Sequence, residues 1–425
     1  MTGVLIILLF LILTVFGLPI AFGMGISALV YFLGSPQFPI SILAHRLPNA
    51  LNSFPLVAVP IFIFAGNLMN TAGITGRLFK FARMLVGHRK GGLAHVNILA
   101  SLIFSGISGA ALADIGGLGN IEIKAMKDQG YDASDAAAIT VASATIGPIF
   151  PPSIPLIIFA TVAEVSAVKL LIAGIIPALL MTILLIIVVT IIAHVKDYPS
   201  DTERYSFKQI RNNLFSAFPA LITPVLLVGG LLSGWFSPTE IASVTVAYSL
   251  FLGLVVYKEL NPRKIFAIAL ESIRSSAVVL FVIGCASVFA WALTVEQVPV
   301  TMANFLTNLS QNPVVLLLLV NVLLLIIGMI MDTIAAILVI TPIIYPCLMM
   351  AGVDPVHLGI VVVLNLMIGM LTPPVGMSLF MVSNVAGEPV EKVIKKVLPY
   401  FIPLLISLLL VTLIPSLSTF LPSLL

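Results

Sequence analysis

The chain has 425 residues, of which 60% are hydrophobic and 9% charged, with a net charge of +3 and a mean hydropathy of +1.20. Soluble domains carry about 25% charged residues, so the composition excludes a water-soluble fold and points to an all-α polytopic membrane protein. The only two cysteines, Cys285 and Cys347, both lie among apolar residues and are expected to act as small hydrophobes rather than as a disulfide or metal pair.

A spanning helix needs about 20 mainly apolar residues. In chain order, that length predicts spans at roughly 1–16, 18–34, 53–76, 136–160, 170–193, 217–234, 240–257, 275–293, 358–382 and 397–421. The first begins without a basic n-region or cleavage site, so no cleaved leader is expected. The spans at 1–34 should hinge near Gly17-Leu-Pro19, and Ser237-Pro-Thr-Glu240 reads as a capping box opening a helix. Stretches 36–52 and 258–274 are partly amphipathic and read either as interfacial struts or as ordinary loops.

Two further apolar stretches, 93–121 and 313–350, are too long for one helix and are interrupted. The first carries Ser105-Gly-Ile-Ser-Gly109 and Gly116-Gly-Leu-Gly119, and the second Gly328-Met-Ile-Met-Asp-Thr333 and Pro342. Non-helical backbone survives at membrane depth only where protein or a wet cavity shields it. Each is therefore expected to enter and leave by the same face, as a re-entrant hairpin. With that threading, loops 77–90, 122–135, 194–216, 257–274 and 383–396 share one side and hold 18 of the 20 Lys and Arg. The positive-inside bias makes that side cytoplasmic and puts both termini in the periplasm. If only one hairpin crossed, every later loop would flip and the bias would collapse.

A constant offset of 222 residues links the halves. It pairs Gly106 with Gly328, Gly147 with Gly369, and Pro151-Pro152 with Pro373-Pro374. Five spans per half invert the second half, which is the inverted-topology repeat of secondary transporters. The expected division is 1–52 scaffold and strut, 53–193 first transport half, 194–274 loop, scaffold and second strut, and 275–425 second transport half.

Prolines at 148, 151, 152 and 155 forbid a continuous helix through 136–160, and Pro373-Pro374 break 358–382 in the same way. Such breaks free carbonyls, which suit Na⁺, and helix-terminal amides, which suit carboxylates. Gly and Pro also serve packing and kinks alone in membrane helices, but four interruptions in register favour a site. Side-chain oxygens at Ser105, Ser108, Ser143, Thr145, Thr333 and Thr372 supplement the backbone. Ser108, Ser143, Asp332 and Thr333 are the candidate substrate contacts, Asp332 because a carboxylate at a hairpin tip is costly. No phosphate-binding G-x-x-x-x-G-K-[ST] or H-E-x-x-H occurs, so neither ATP hydrolysis nor any enzyme activity is expected.

The stretches Val59-Pro-Ile-Phe-Ile-Phe-Ala-Gly-Asn-Leu-Met69, Ser105-Gly-Ile-Ser-Gly-Ala110, Ile146-Gly-Pro-Ile-Phe-Pro-Pro-Ser153 and Leu371-Thr-Pro-Pro-Val-Gly376 resemble the large membrane subunit of tripartite ATP-independent periplasmic (TRAP) transporters. The resemblance runs through essentially the whole chain. It implies an elevator mechanism and Na⁺-coupled uptake of an organic acid such as a C4-dicarboxylate or a sialic acid. It implies two partners, a periplasmic substrate-binding protein and a small four-helix membrane subunit, the latter expected as a separate polypeptide. Carried over by motif, one Na⁺ site uses Ser105, Gly147, Phe150 and Pro152, and a second uses Gly328, Gly369, Thr372 and Val375. The tip reads Ser-Gly-Ile-Ser where family members often have adjacent serines. Two or more Na⁺ ions, membrane lipid and a carboxylate substrate are expected, with no organic cofactor and no nucleic acid. A stand-alone Na⁺/carboxylate symporter or Na⁺/H⁺ exchanger of the same two-hairpin design is the alternative.

Overall fold

A computed structural model of the chain describes residues 3–35, 37–108, 111–200 and 207–424, without the side chains of 105–108, 113, 207–210, 212, 216 and 307. Helices α1 (Gly3–Val15) and α2 (Ile20–Leu33) are two short rods joined at Gly17, whose φ of +87° a side chain would resist. The hinge is where Gly17-Leu-Pro19 places it. The following strut is helical, α3 (Ser41–Leu51), and none of its residues is buried. Pro55 then opens α4 (Phe54–Thr71).

Helix α5 (Ile74–Val86) occupies most of what the sequence reads as a loop at 77–90. Its apolar residues Ile74, Leu78, Phe79 and Ala82 recur at helical spacing and are buried, while Lys80 is exposed and Arg77 pairs with Glu259 at 2.7 Å. At 13 residues it is too short to span, so a search for spans passes over it. Its counterpart 222 residues on, α16 (Val298–Leu309), is missed for the same reason.

The first hairpin rises as α6 (Gly92–Ser108) and returns as α7 (Ala111–Gly116) and α8 (Leu118–Asp128). The return arm therefore continues past the expected limit at 121, because Ile123 and Met126 still find a buried surface. Beyond it α9 (Ala133–Ser143) starts on an Asp132 cap, with Asp132 Oδ1 accepting from the amides of Ser134 and Asp135 at 2.9 and 3.4 Å. A 3-10 turn at 144–146 and an irregular run through 147–153 separate α9 from α10 (Ile154–Val162). The first half closes with α11 (Ala167–Ala173) and α12 (Ile175–Val195).

The second half opens with α13 (Phe207–Leu232) and α14 (Pro238–Phe251), the latter on the capping box of Ser237 and Glu240 that the sequence announces. Helix α15 (Pro262–Val295) is one 34-residue rod. Here the sequence reading needs correction, since it divides this segment into a strut and a span near 275. The first half breaks between α3 and α4 at Asn52-Ser53-Phe54-Pro55, whereas the matching positions 274–277 are Arg-Ser-Ser-Ala, with nothing to stop the helix. The second hairpin is α17 (Pro313–Gly328) and α18 (Thr333–Met350), capped by Asp332. Pro342 and Pro346 sit inside α18 without ending it, so the interruption expected at Pro342 is absent and only 329–332 breaks the stretch. Helices α19 (Pro355–Gly369) and α20 (Met377–Ala386) flank the second irregular run, followed by α21 (Val390–Leu413) and α22 (Ser416–Thr419).

No strand occurs among the described residues, and six helical segments there are long and apolar enough to cross a membrane, with shorter apolar helices between them. The centre is built from α9, α10 and α19, whose side chains are buried nearly all round, while α4, α14 and α15 pack together beside it. The halves interlock: α9 packs on α20 and α21, α10 on α18, and α7 on α20. Asp135 ties them electrostatically, with Lys196 at 2.7 Å and Lys396 at 3.1 Å.

Candidate functional site

The second break is the better defined. Helix α17 ends against the end of α19 with glycine on glycine: a Cβ on Gly328 would lie 2.9 Å from Gly369 Cα, and one on Gly369 would lie 2.7 Å from Gly328 Cα. Only glycines permit this approach, and it brings the hairpin tip within backbone hydrogen-bond reach of the break. The Gly376 amide donates to Met329 O at 3.1 Å, Thr372 N to Gly369 O at 2.8 Å, and Thr372 Oγ1 to Ile368 O at 2.9 Å. Val375 is half-exposed beside them. The structure thus gathers Gly328, Gly369, Thr372 and Val375 around one irregular stretch, with the Pro373–Pro374 peptide bond cis. Thr333 is buried and its hydroxyl meets Met370 Sδ at 2.9 Å, while Asp332 Oδ2 accepts from Ile334 N at 3.0 Å. Asp332 therefore serves as a helix cap in addition to any role at the tip.

The first break repeats the design with one change. The Pro151–Pro152 bond is again cis, Gly147 lies at the close approach, and Phe150 is partly buried with its amide donating to Ile146 O at 3.1 Å. The group pressed against Gly147 is Asp114 of α7, whose Oδ2 would stand 2.6 Å from a Cβ there. Pro152 is buried, Ser153 Oγ donates to Pro148 O, and Thr145 Oγ1 donates to Ala142 O at 2.7 Å. The side chains of Ser105 and Ser108 lie outside the described residues.

Ser143 belongs elsewhere. Its hydroxyl donates to Asn97 Oδ1 at 2.5 Å and receives Ser101 Oγ at 3.0 Å, inside a fully buried cluster in which Asn97 Nδ2 donates to Thr140 Oγ1 and Glu122 Oε2, each at 2.8 Å. The second half has its own version, where Asn365 Nδ2 donates to Asn321 O and Oδ1, both at 3.0 Å, and Asn321 Nδ2 to Thr412 Oγ1 at 2.9 Å. Ser143 and Asn365 stand 222 apart, and each fastens a broken helix to the rising arm of its hairpin. Asn97, Glu122 and Asn321 were invisible to the motif reading; the 222 offset applied to polar residues alone would have exposed the pair.

Helices that flank the two hairpin turns and the two breaks line one crevice of about 480 Å³, which falls within the range of small-molecule pockets. Leu112 and Gly116 come from the first hairpin, Ile154 from just past the first break, Ile334 from the second tip and Met381 from beyond the second break. The opposite wall is α4 and α15, bringing Asn67, Asn70, Glu271 and Ser275. Among the described residues no cluster of His, Cys, Asp and Glu could hold a transition metal. Any cation here would meet carbonyl, hydroxyl and carboxylate oxygens, the donor set of a hard ion.

Two inverted halves, each contributing a hairpin arm and a segment of its broken helix to a shared crevice, define a membrane transport protein. Residues 7–417 match the family described as "Tripartite ATP-independent periplasmic transporter, DctM component". The chain is 43% identical over 411 residues to the "Sialic acid TRAP transporter large permease protein SiaM" of Vibrio cholerae, covering 96% of this chain and 95% of that one. It is 42% identical over 419 residues to the "Sialic acid TRAP transporter permease protein SiaT" of Haemophilus influenzae, covering 99% of this chain and 68% of that one. It is 39% identical over 401 residues to the "C4-dicarboxylate TRAP transporter large permease protein DctM" of Pseudomonas aeruginosa, covering 94% and 93%. The crystal structure of the Alcanivorax borkumensis YdaH transporter superposes with a TM-score of 0.67 over 97% of each chain at 18% identity, a likeness of fold alone. The chain belongs to the DctM component family. It is a multi-pass transport subunit of the inner membrane, and its relatives are permeases rather than enzymes.

Proposed function

We propose that this chain is the large permease of a TRAP system and carries an organic acid of the sialic-acid or C4-dicarboxylate class into the cell, driven by Na⁺. A periplasmic binding protein delivers the acid, and a small membrane subunit widens the scaffold. Both termini face the periplasm. One Na⁺ binds at the second break to Gly328, Gly369, Thr372 and Val375, and another at the first to Ser105, Gly147, Phe150 and Pro152. Ions there would fix each tip to its break, and the acid would lie in the crevice between them. The body of hairpins and broken helices then slides along α4 and α15 to change the side on which the crevice opens, a reading that moves α4 and the C-terminal part of α15 from the expected transport halves to the scaffold.

The observation that supports this reading best is the contact of Gly328 with Gly369, because it makes a tip and a break one backbone-lined unit. The test is uptake of labelled sialic acid and succinate into proteoliposomes containing both membrane subunits, with and without the purified binding protein. Uptake that needs the binding protein is expected. Full-rate uptake without it would refute the tripartite reading in favour of a stand-alone symporter.

A further inference from the structure

A second cavity lies along the same helix as the crevice, further toward its C-terminal end. Helix α15 lines the crevice with residues between Glu271 and Val279, and this cavity with residues between Ile283 and Thr294. It measures about 750 Å³. Its walls again come from both sides of the sliding contact: α3 and α15 on one, the end of α10 and the middle of α18 on the other. On the proposed threading it opens to the periplasm.

Arg46 on α3 stands in its wall. This is one of only two cationic Lys or Arg residues outside the five basic loops. Its guanidinium makes no ion pair among the described residues, and it is positioned instead over Trp291, 5.1 Å from the ring centroid. Trp291 is itself held rigid, stacked on Phe32 at 5.2 Å and met edge-on by Phe38 at 5.2 Å. A guanidinium that rests on an aromatic ring and has no carboxylate partner keeps its N–H donors for a ligand, and its fork matches a carboxylate bidentately. Across the cavity stands Glu164, exposed, which repels a second carboxylate. Asn49, Ser53, Ser287 and Thr294 supply amide and hydroxyl groups between the two charges.

We infer that this outer cavity is an entry site that receives a hydroxylated monocarboxylic acid on its way to the crevice, Arg46 taking the carboxylate and the polar wall taking the hydroxyls. The inference rests on the transport reading and narrows its substrate class, toward a sugar acid and away from a dicarboxylate. Among the described residues the crevice has no arginine or lysine in its lining, so the charge of the acid is read first here.

Trp291 is the built-in reporter, as one of only two tryptophans in the chain. The experiment titrates sialic acid, succinate and N-acetylmannosamine, which keeps the sugar but lacks the carboxylate, into the two-subunit complex in nanodiscs without the binding protein. The signal is the fluorescence change lost in Trp291→Phe. A saturable response to sialic acid is expected, weaker for succinate and absent for N-acetylmannosamine. Arg46→Ala should weaken apparent affinity about tenfold, as expected for a lost charge-assisted bond, Arg46→Lys should restore part of it, and Glu164→Gln should improve the succinate response. A response indifferent to Arg46→Ala, or equal for the neutral sugar, overturns the entry site. Sialic acid uptake by the complete system with no Trp291 response also overturns it and leaves transport standing. If neither acid is taken up by the wild-type system, the transport reading fails and the inference falls with it. Because the binding protein is absent, an Arg46 that only docks that protein gives no response.

Discussion

Gly328 and Gly369, one at a hairpin tip and one at a helix break, press backbone against backbone with no room for a methyl group between them. The contact joins the two interruptions of the second half into one unit. A Cβ on Gly369 would stand 2.7 Å from Gly328 Cα and 2.9 Å from its carbonyl carbon, so neither partner can yield by rotating a side chain. Gly369→Ala should therefore lose transport and cost about 1–3 kcal/mol of stability through overpacking. Gly229→Ala, in a helical position with nothing within 4 Å, is the control and should match wild type in thermal unfolding and in uptake.

Thr372 and Asp332 separate the proposed ion site from its supports. The Thr372 hydroxyl lies at the break itself, donating to Ile368 O at 2.9 Å, whereas Asp332 caps α18. Thr372→Ala should raise the Na⁺ concentration for half-maximal uptake several-fold, and more than Asp332→Asn does. An unchanged Na⁺ response in Thr372→Ala would remove this residue from the second site.

Much of this was legible in the sequence because the physics acts locally. The adjacent pairs Pro151-Pro152 and Pro373-Pro374 each interrupt a helix where the single prolines 342 and 346 inside α18 do not, and Gly17 and Ser237 mark hinges by their own conformational preferences. The illegible parts depend on partners distant in the chain. Helices α5 and α16 are too short to signal a span, and α15 runs unbroken because Ala277 replaces the proline that Pro55 supplies to α4. At the site, the glycine pair could be listed from the sequence but not placed in contact, and Asn97 and Glu122 look like ordinary polar residues until the fold buries them together.

Asp132 offers a test of the capped start of α9. Its carboxyl is held below the ordinary carboxylate value, first by the Ser134 hydroxyl at 2.5 Å and then by the Ser134 amide. A depressed value stabilises the fold above the unfolded pKa of about 3.9 and loses that stabilisation as pH falls through the folded value. Asp132→Ala should cost about 1 kcal/mol at neutral pH. Unfolding midpoints measured from pH 7 downward should show the gap between variant and wild type closing in strong acid.

The threading is checked by single cysteines in a background with Cys285 and Cys347 replaced, both of which are buried and free. Asp128→Cys and Lys169→Cys are exposed positions on opposite sides of the proposed membrane. An impermeant maleimide added to intact spheroplasts should label 169 and spare 128 until the membrane is opened. Equal labelling of both before lysis would refute the crossing of the first broken helix, on which the threading rests.

On the proposed reading, two backbone-built half-sites couple Na⁺ to uptake. The most direct measurement of that coupling is initial uptake into proteoliposomes with the binding protein saturating and external Na⁺ varied at constant ionic strength. The expected result is a sigmoidal dependence with a Hill coefficient above about 1, as for more than one coupled ion, no accumulation when choline replaces Na⁺, and a loss of sigmoidicity in Thr372→Ala. Accumulation that persists in choline, or after the Na⁺ gradient is collapsed, would contradict it.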